Sequence, residues 1–225
     1  MQKSFKFAVT VGRNENADLE KIAQIWAEKF NVKYVERGSK GSLKFLLDQE
    51  QVDALLVATN QGPQVYSASG TFFFHPSMAV LRAQRLKKHE PDHFVAALEL
   101  KPGMKVLDCT MGLASDAIVA RFITGAEGVV CAVEASPLLH FVVSEGLKNY
   151  QAEDIDLNSA MRRITTVCAE AETYLAALPA DSFDVVYFDP MFRIPVNGSS
   201  NMEPLRPLAW EKALTAEMVE AALRA

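Results

Sequence analysis

The chain has 225 residues, of which 49% are hydrophobic and 23% are charged, and its formal net charge is −5. This length provides for one large or two small domains with a buried core, and no run of about 18 apolar residues occurs, so we predict no transmembrane helix. The beginning of the sequence, MQKSFKFAVTVG, lacks an apolar segment followed by a small-residue cleavage site, so we also predict no signal peptide.

The three cysteines lie in apolar, strand-like stretches and lack metal-ligand spacing. Because their number is odd and their surroundings are apolar, we interpret all three as buried, reduced thiols of a cytoplasmic protein. They are Cys109, Cys131 and Cys168.

The acidic net charge argues against a protein held on free nucleic acid by bulk electrostatics. The charge is uneven, since residues 1–103 carry 14 Lys+Arg against 11 Asp+Glu, whereas residues 104–225 carry 9 against 17. A solvated helix face is the commoner explanation for a basic cluster such as that in LRAQRLKKHE, but this cluster is also the best candidate for a phosphate contact. The cluster consists of Arg82, Arg85, Lys87 and Lys88.

Residues 1–75 predict a small N-terminal α/β domain. Strands are predicted at KFAVTVG, VKYVER and VDALLVAT, and another at PQVYSAS after the turn signal NQG. SLKFLLDQEQ predicts a helix, and an earlier helix is predicted from residues spaced to share one face. That face comprises Leu19, Ile22, Ala23, Trp26 and Phe30.

The stretch GTFFFHPS joins this domain to a helical connector at residues 76–100. In a strand, adjacent phenylalanines point to alternating faces, so at least one of the three rings is expected outside the core. His75 could reach a substrate, but no base–orienter pair surrounds it, so a hydrogen-bonded structural role is favoured.

Residues 101–225 alternate apolar strands with helices: MKVLDCT, GVVCAVEAS, ITTVCAE and SFDVVYFDP are each followed by a helical or turn-forming stretch. This pattern predicts an α/β fold with a mostly parallel, Rossmann-like sheet covered on both faces. Ligands of such sheets bind beyond the carboxyl ends of the strands. Four acidic residues stand at those ends: Asp108, Glu134, Glu170 and Asp189.

The segment VLDCTMGLASDA predicts a strand, a tight turn at Gly112 and the start of a helix. A dinucleotide site would need G-x-G-x-x-G, and the charge of Asp108 would repel a pyrophosphate. S-adenosylmethionine has no phosphate; its sulfonium and ammonium suit an acidic strand end, and its carboxylate suits the free N–H groups of a helix start. The sequence therefore favours S-adenosylmethionine as cofactor.

The other strand-end acids suggest how the nucleoside part is held. Glu134 is placed to accept hydrogen bonds from ribose hydroxyls, and Glu170 from the adenine amino group, with Ala171 along the ring. Taken singly, each acid could instead cap a helix, and for Asp116 the two interpretations are about equal. The complete predicted cofactor set is Asp108, Gly112, Ser115, Asp116, Glu134, Ala135, Glu170, Ala171 and Asp189.

From Val106 to Trp210 the chain resembles the class I S-adenosylmethionine-dependent methyltransferases, through DCTMGLASDA, VEAS and FDPMF. FDPMF is similar to the D/N-P-P-Y/F motif of enzymes that methylate exocyclic amines of nucleobases. Combined with D-x-T-x-G-L-x-x-D-A, it most resembles the ribosomal small-subunit methyltransferase J type, which acts on guanine N2 of 16S ribosomal RNA. The resemblance implies ribosomal RNA or the small ribosomal subunit as partner, without a membrane or a metal.

This resemblance implies a catalytic role for the FDPMF motif. Asp189 and the carbonyl of Pro190 would accept the two hydrogens of the amine, so that its lone pair points at the methyl group. Pro190 fixes the turn, and Phe192 would stack on the base. Adenine N6 of DNA or RNA is the alternative target, and a non-catalytic RNA- or ribosome-binding module is the alternative of another class.

The sequence departs from the family pattern in the cofactor loop and at its end. Ala114 stands where a second glycine is usual, which narrows the expected methionine pocket, and Ser115 stands where an arginine is common, which suggests a different sub-branch. The loop RIPVNGSSNMEPLRPLAW carries Arg193 and Arg206 and could close over RNA or be a solvated surface loop. Because only 35 residues follow Pro190, we expect a sheet that is incomplete at its C-terminus or a longer natural protein.

Overall fold

The computed structural model describes residues 5–13, 17–38, 41–190 and 213–225. The contacts between Cα atoms divide these residues into two compact units, with a boundary in the sequence between Phe74 and His75. No helix in the described ranges has the length and apolar character needed to cross a membrane.

The first unit is a four-stranded sheet with two helices. Its strand order is β1-β2-β3-β4, in which β1 and β2 run parallel and the other pairs are antiparallel. The elements are β1 (Phe7–Val11), α1 (Ala17–Phe30), α2 (Leu43–Glu50), β2 (Ala54–Thr59), β3 (Gly62–Ser67) and β4 (Gly70–Phe73). Helix α2 begins at a serine cap, since the Ser42 hydroxyl accepts from the Phe45 N–H at 3.1 Å.

One strand prediction in this unit is wrong. VKYVER forms a single parallel bridge, between Val9 and Tyr34, because the chain then leaves the sheet edge and the Arg37 side chain donates to backbone carbonyls. On α1, Leu19 and Ala23 of the predicted face are buried, together with Ala27. Ile22, at the border of that face, is 39% exposed.

The three phenylalanines at the end of this unit alternate between buried and exposed. Phe72 and Phe74 are buried, whereas Phe73 is 51% exposed. The expectation that at least one ring lies outside the core is confirmed.

The second unit contains a parallel sheet with the order β7-β6-β5-β8. Helices α3 and α4 both contact α5, and α8 contacts α9. The elements are α3 (Ser77–Lys87), α4 (His93–Ala97), β5 (Lys105–Asp108), α5 (Ser115–Thr124), β6 (Val129–Glu134), α6 (Pro137–Asn149), α7 (Ile155–Arg162), β7 (Ile164–Cys168), α8 (Ala171–Ala177), β8 (Val185–Tyr187) and α9 (Ala216–Arg224).

Details of this unit differ from the predictions. The helical connector expected at residues 76–100 consists of two helices, because Pro91 disfavours a helical residue before it and the Asp92 carboxylate caps a new helix, α4. Helix α7 was not predicted, although Asp154 caps it by accepting from the N–H groups of Asp156 and Leu157. Cys168 is exposed, not buried, because it ends β7 at the edge of the sheet, whereas Cys109 and Cys131 are buried as expected.

Candidate active site

The sheet of the second unit has a topological switch point between β5 and β8. The next strand along the chain, β6, pairs with one edge of β5, and the later strand β8 pairs with the other edge of β5. Such a point leaves a crevice at the carboxyl ends of the strands, where α/β proteins bind ligands. Asp108 is the last residue of β5 and is the register partner of Tyr187, two residues before Asp189.

Asp108 is a buried carboxylate beside two other acids. Its side chain is 2% exposed, and Oδ1 accepts from the Thr110 N–H at 2.9 Å and faces the Thr110 hydroxyl at 3.4 Å. Burial raises the pKa of Asp108 to about 7, and the charges of Asp116 and Glu134 contribute to the rise. A cation next to Asp108 would therefore favour the ionised carboxylate, and the ionised carboxylate would in turn stabilise the cation.

Glu134, the last residue of β6, ties the cofactor loop to the neighbouring strand. Its Oε2 accepts from the Gly112 N–H at 3.2 Å, and its Oε1 accepts from the Ser136 N–H at 2.9 Å. Burial raises the pKa of this carboxyl group as well. Ala135, between these partners, is half-buried. Each carboxylate oxygen has two acceptor sites, so Glu134 retains capacity for the hydroxyls of a ribose.

The loop between β5 and α5 contains two residues in the left-handed region. Gly112 has φ +49° and Ala114 has φ +60°. Ala114 is completely buried and its N–H donates to the carbonyl of Met111 at 2.7 Å. Ser115 follows as the first residue of α5, so its amide belongs to the helix start, where backbone N–H groups lack intrahelical acceptors.

Thr110 connects Asp108 and Asp189, two of the four predicted strand-end acids, whose strands are neighbours in the sheet. The N–H of Asp189 donates to the Thr110 hydroxyl at 2.7 Å, and the same hydroxyl faces Asp108. Asp189 is exposed to solvent overall. Partial desolvation of its carboxyl group, together with the negative charge of Asp116, raises the pKa of Asp189. Pro190 is also exposed, whereas Phe192, the third predicted catalytic residue, lies outside the described residues.

Asp116 is held by protein partners on both oxygens. Its Oδ1 accepts from Nη1 of Arg82 at 2.5 Å, and its Oδ2 accepts from the Tyr187 hydroxyl at 3.3 Å. Arg82 also binds Asp92 through two hydrogen bonds, of 2.8 and 2.9 Å, which lower the pKa of Asp92. The structure thus gives Asp116 a place in an ion-pair network that joins α3, α4 and α5, and its contact with the cofactor stays a prediction.

The basic cluster of α3 serves mainly these internal contacts. Arg82 binds two carboxylates, Arg85 pairs with Glu90 at 2.9 Å, and Lys87 binds Asp154 and Asp156. Its interpretation as the best phosphate contact is therefore not supported, because carboxylates already bind three of its cations. His75 also has a structural contact, since its Nε2 lies 3.0 Å from the Tyr150 hydroxyl.

The predicted adenine-binding residues follow β7. Glu170 is the cap residue of α8, but its side chain makes no capping hydrogen bond. Both Glu170 and Ala171 are half-buried. Their position two and three residues beyond the end of β7 places them at the same edge of the sheet as Asp108 and Glu134.

Known proteins are similar to this chain in sequence and in fold. Residues 28–203 match a family model described as "Putative SAM-dependent methyltransferase". The chain belongs to this family of methyltransferases. Its cofactor is S-adenosylmethionine, and the predicted resemblance to class I enzymes is confirmed.

Curated relatives include one protein named as uncharacterised and several named as ribosomal RNA enzymes. YpiP of Bacillus subtilis, an "Uncharacterized protein", is 37% identical over 205 residues, which cover 91% of this chain and 79% of YpiP. Ribosomal RNA small subunit methyltransferase J of Rhodopseudomonas palustris is 31% identical, over 64% of this chain and 65% of that protein. The protein of the same name from Dechloromonas aromatica is 30% identical, over 57% of this chain and 53% of that protein. The chain therefore spans less than two thirds of either methyltransferase J.

The fold is also found among solved structures. The crystal structure of a SAM-dependent methyltransferase from Neisseria gonorrhoeae superimposes with a TM-score of 0.58, over 83% of this chain and 70% of that protein. The sequences are 16% identical, so the match supports the Rossmann-like methyltransferase fold alone.

The described residues suit the chemical groups of this cofactor. Asp108 and Glu134 are buried carboxylates whose raised pKa values favour a nearby cation, such as a sulfonium or an ammonium. The first-turn amides of α5, which begins at Ser115, suit a carboxylate. Among the residues that the structure describes, no group of three or more His, Cys, Asp or Glu is arranged to hold a metal ion.

Sequence reasoning missed Thr110, Tyr187 and the role of Arg82. A threonine two residues after a strand-end aspartate is a typical partner for that carboxylate, and this spacing in DCT could have indicated Thr110. Arg82 and Tyr187 reach Asp116 from positions 34 and 71 residues away, which no local pattern reveals.

Proposed function

We propose that this methyltransferase transfers a methyl group to an exocyclic amine of a nucleobase, namely guanine N2 in small-subunit ribosomal RNA. The relatives named as ribosomal RNA small subunit methyltransferase J support this substrate class. The proposal includes a role in ribosomal RNA processing in the cytoplasm, with the small ribosomal subunit as partner.

One observation carries the proposal: the strand-end acid of β8 is fixed beside the strand-end acid of β5. Thr110 holds the backbone of Asp189 through a 2.7 Å hydrogen bond and also binds Asp108, the acid expected at the cofactor. The Asp189 carboxylate remains exposed and available to a substrate. An acceptor for an amine thus stands next to the predicted methyl donor site.

The chemistry follows from these positions. S-adenosylmethionine supplies an electrophilic methyl group when it is bound. Asp189 and the carbonyl of Pro190 accept the two N–H groups of the amine, which moves its lone pair out of conjugation with the ring. Bound S-adenosylmethionine would supply the methyl group and leave as S-adenosylhomocysteine, and Asp189, whose raised pKa favours protonation, would take the proton that the amine gives up. Phe192 is proposed to stack on the base.

The test is methyl transfer from labelled S-adenosylmethionine to small ribosomal subunits purified from a strain that lacks the protein. Mass spectrometry of the digested nucleosides should show N2-methylguanosine. Methylation of adenine N6 would replace guanine as the target, and binding to subunits without any methylation would favour the non-catalytic module.

Two matched substitutions assign the reaction to the site. Asp189→Asn should lower the rate by about 10²–10³-fold, because it removes the charged acceptor. Asp181→Asn removes another exposed carboxylate, eight residues earlier, and should leave the rate unchanged. Equal rates for both variants would overturn the role of Asp189.

A further inference from the structure

Side chains from four elements form a closed circuit of contacts around Asp116, the acid in the first turn of α5. Its Oδ1 accepts from Arg82 on α3 at 2.5 Å, and its Oδ2 accepts from the Tyr187 hydroxyl on β8 at 3.3 Å. Helix α4 closes the circuit, since Asp92 binds Arg82 and the Phe94 ring meets the Tyr187 ring edge to face. The centroids of these two rings are 4.9 Å apart, and their planes make an angle of 82°.

The corner of the circuit on α4 is itself fixed. Asp92 caps this helix by accepting from the N–H groups of Phe94 at 3.1 Å and Val95 at 3.2 Å. The Arg82 guanidinium also lies over the Phe94 ring, 5.2 Å from its centroid. Phe94 therefore contacts both side chains that hold Asp116, and it limits where the Tyr187 ring can lie.

Asp116 is held in one orientation but keeps capacity for a further donor. Its side chain is 24% exposed, and the two contacts described above use one acceptor site on each oxygen. A carboxylate has about four such sites. The negative charge of Asp116 also reaches the crevice, since it contributes to the raised pKa values of Asp108 and Asp189.

The ion-pair cluster keeps a net negative charge. Arg82 supplies one positive charge against the two carboxylates of Asp92 and Asp116, so the three side chains together carry −1. The Tyr187 hydroxyl adds a neutral donor and leaves this charge unchanged. A cationic group placed at Asp116 would therefore meet a carboxylate that is oriented by its partners and still attracts a cation.

Tyr187 connects this acid to the strand that carries the amine acceptor. Tyr187 is the last residue of β8 and precedes Asp189 by two residues. The hydrogen bond from its hydroxyl thus joins the start of α5, where the cofactor is expected, to the end of β8. The fold reaches this arrangement only when α3 and α4 are in place, because they supply the other contacts of the circuit.

We propose that Tyr187 is a positioning residue for cofactor binding: its hydroxyl, with its ring held by Phe94, orients the Asp116 carboxylate towards S-adenosylmethionine. The proposal includes the predicted contact between Asp116 and the cofactor. It goes beyond the proposed function, because it concerns the cofactor alone and holds for any methyl acceptor. It gives the helical connector a part in the cofactor site.

The experiment is a double-mutant cycle on the full chain, in which isothermal titration calorimetry measures the affinity for S-adenosylmethionine. Asp116→Ala should weaken binding at least about tenfold, because a charged acceptor is lost, and Tyr187→Phe should weaken it about fivefold. Since the hydroxyl acts through the carboxylate, the double variant should bind like Asp116→Ala. Wild-type affinity in either single variant, or a further loss of about fivefold in the double variant, would overturn the proposal.

The matched control is Tyr174→Phe, which removes the hydroxyl of another half-buried tyrosine in the second unit. That hydroxyl lies 3.4 Å from the Cys131 sulfur, and its loss should leave the affinity for S-adenosylmethionine at the wild-type value. Equal losses in Tyr174→Phe and Tyr187→Phe would overturn the proposal, because the loss of any such hydroxyl would then have the same effect.

Phe94→Leu tests the contribution of α4 and leaves the hydroxyl and the carboxylate in place. Without the edge-to-face contact the Tyr187 ring is less restrained, so binding of S-adenosylmethionine should weaken about threefold. This loss should disappear when Phe94→Leu is combined with Asp116→Ala. Wild-type affinity in Phe94→Leu, or the same threefold loss in both backgrounds, would overturn the role of Phe94.

Failure of this inference can be told from failure of the proposed function. Calorimetry with S-adenosylmethionine involves no nucleobase, so a wild type that methylates no ribosomal RNA leaves the cycle valid. Conversely, wild-type affinity in Tyr187→Phe removes the inference and leaves the methyl acceptor unchanged. Thermal unfolding of each variant confirms that the chains compared are folded.

Discussion

The carboxyl ends of two parallel strand pairs in this chain carry opposite charges. Beyond β5 and β6 stand buried carboxylates, Asp108 and Glu134. Beyond β1 and β2 a cavity is lined by arginine and lysine. The same topology brings strand ends and helix starts together in both places, so the few residues just past each strand decide which charged side chains stand at the edge.

Arg82 and Arg37 show how an arginine is held in each of the two units. Arg82 donates to two carboxylates, Asp92 and Asp116, so its charge is compensated within the acidic unit. Arg37, which is 9% exposed, donates to the backbone carbonyls of Gly41 and Val11. Because Arg82 joins two partly buried carboxylates, its removal should cost the fold more than the loss of an exposed ion pair.

The largest expected effect comes from removing Arg82. Arg82→Met leaves Asp92 and Asp116 partly buried without their cation, and we expect a loss of about 3 kcal/mol in the free energy of unfolding. Urea denaturation measures this loss. Arg85→Met is the matched control on the same helix, because the Arg85–Glu90 pair is exposed and should contribute less than about 0.5 kcal/mol. Equal losses would contradict a larger contribution from the partly buried network than from the exposed pair.

Asp108→Asn tests the acidic end through pH. In the folded protein the pKa of Asp108 is about 7, above its usual 3.8, so the folded state binds more protons between these values. Stability from this group is therefore fully present below pH 3.8 and falls as the pH rises towards 7, by about 3 kcal/mol between pH 5 and pH 8. Asn removes this loss, so the variant should be more stable than the wild type at pH 8.

Chemical denaturation of both proteins at pH 5 and pH 8 provides the measurement. S-adenosylmethionine should reverse the order at pH 8, since its cationic groups stabilise the ionised carboxylate and bind the wild type more tightly. If the difference in stability between the wild type and Asp108→Asn is the same at pH 5 and at pH 8, a buried Asp108 with a raised pKa is contradicted.

Thr110→Val tests the link between the two strand-end acids. Valine keeps the shape but removes the acceptor for the Asp189 N–H, so we expect methyl transfer to slow by about tenfold, equivalent to about 1.4 kcal/mol. Thr110→Ser restores the hydroxyl and should restore the rate. A slow Thr110→Ser variant, or a normal Thr110→Val variant, would show that the hydroxyl does not position Asp189.

The smallest effect concerns the backbone of the cofactor loop. Gly112→Ala should cost about 1 kcal/mol of stability, because alanine is strained at the positive φ of this residue. Steric overlap adds nothing to this cost, since the added methyl group would meet only the Thr110 carbonyl, at 3.7 Å. Ala114→Gly relieves a similar backbone strain but removes a buried methyl group, so its effect should stay within about 0.5 kcal/mol. Differential scanning calorimetry of both variants distinguishes the two; a neutral Gly112→Ala would contradict the requirement for glycine.

Much of the fold and of the site could be predicted from local patterns. The strand-end positions of Asp108 and Glu134 follow from apolar runs that end in an acid, and the parallel sheet follows from strand–helix alternation. Features that depend on contacts between distant parts of the sequence could not be predicted. VKYVER has strand propensity but only one bridging partner, and Asp116 acquires its role from Arg82 and Tyr187, which are distant in sequence. Long-range ion pairs leave no periodic signal.

The central claim is that S-adenosylmethionine binds at the carboxyl ends of β5 and β6, with its methyl group directed towards Asp189. A crystal structure of the chain with S-adenosylmethionine tests this claim most directly. We predict electron density for the cofactor in contact with Asp108 and Glu134. Density at another place in the chain, with these two carboxylates making no contact to it, would contradict the account.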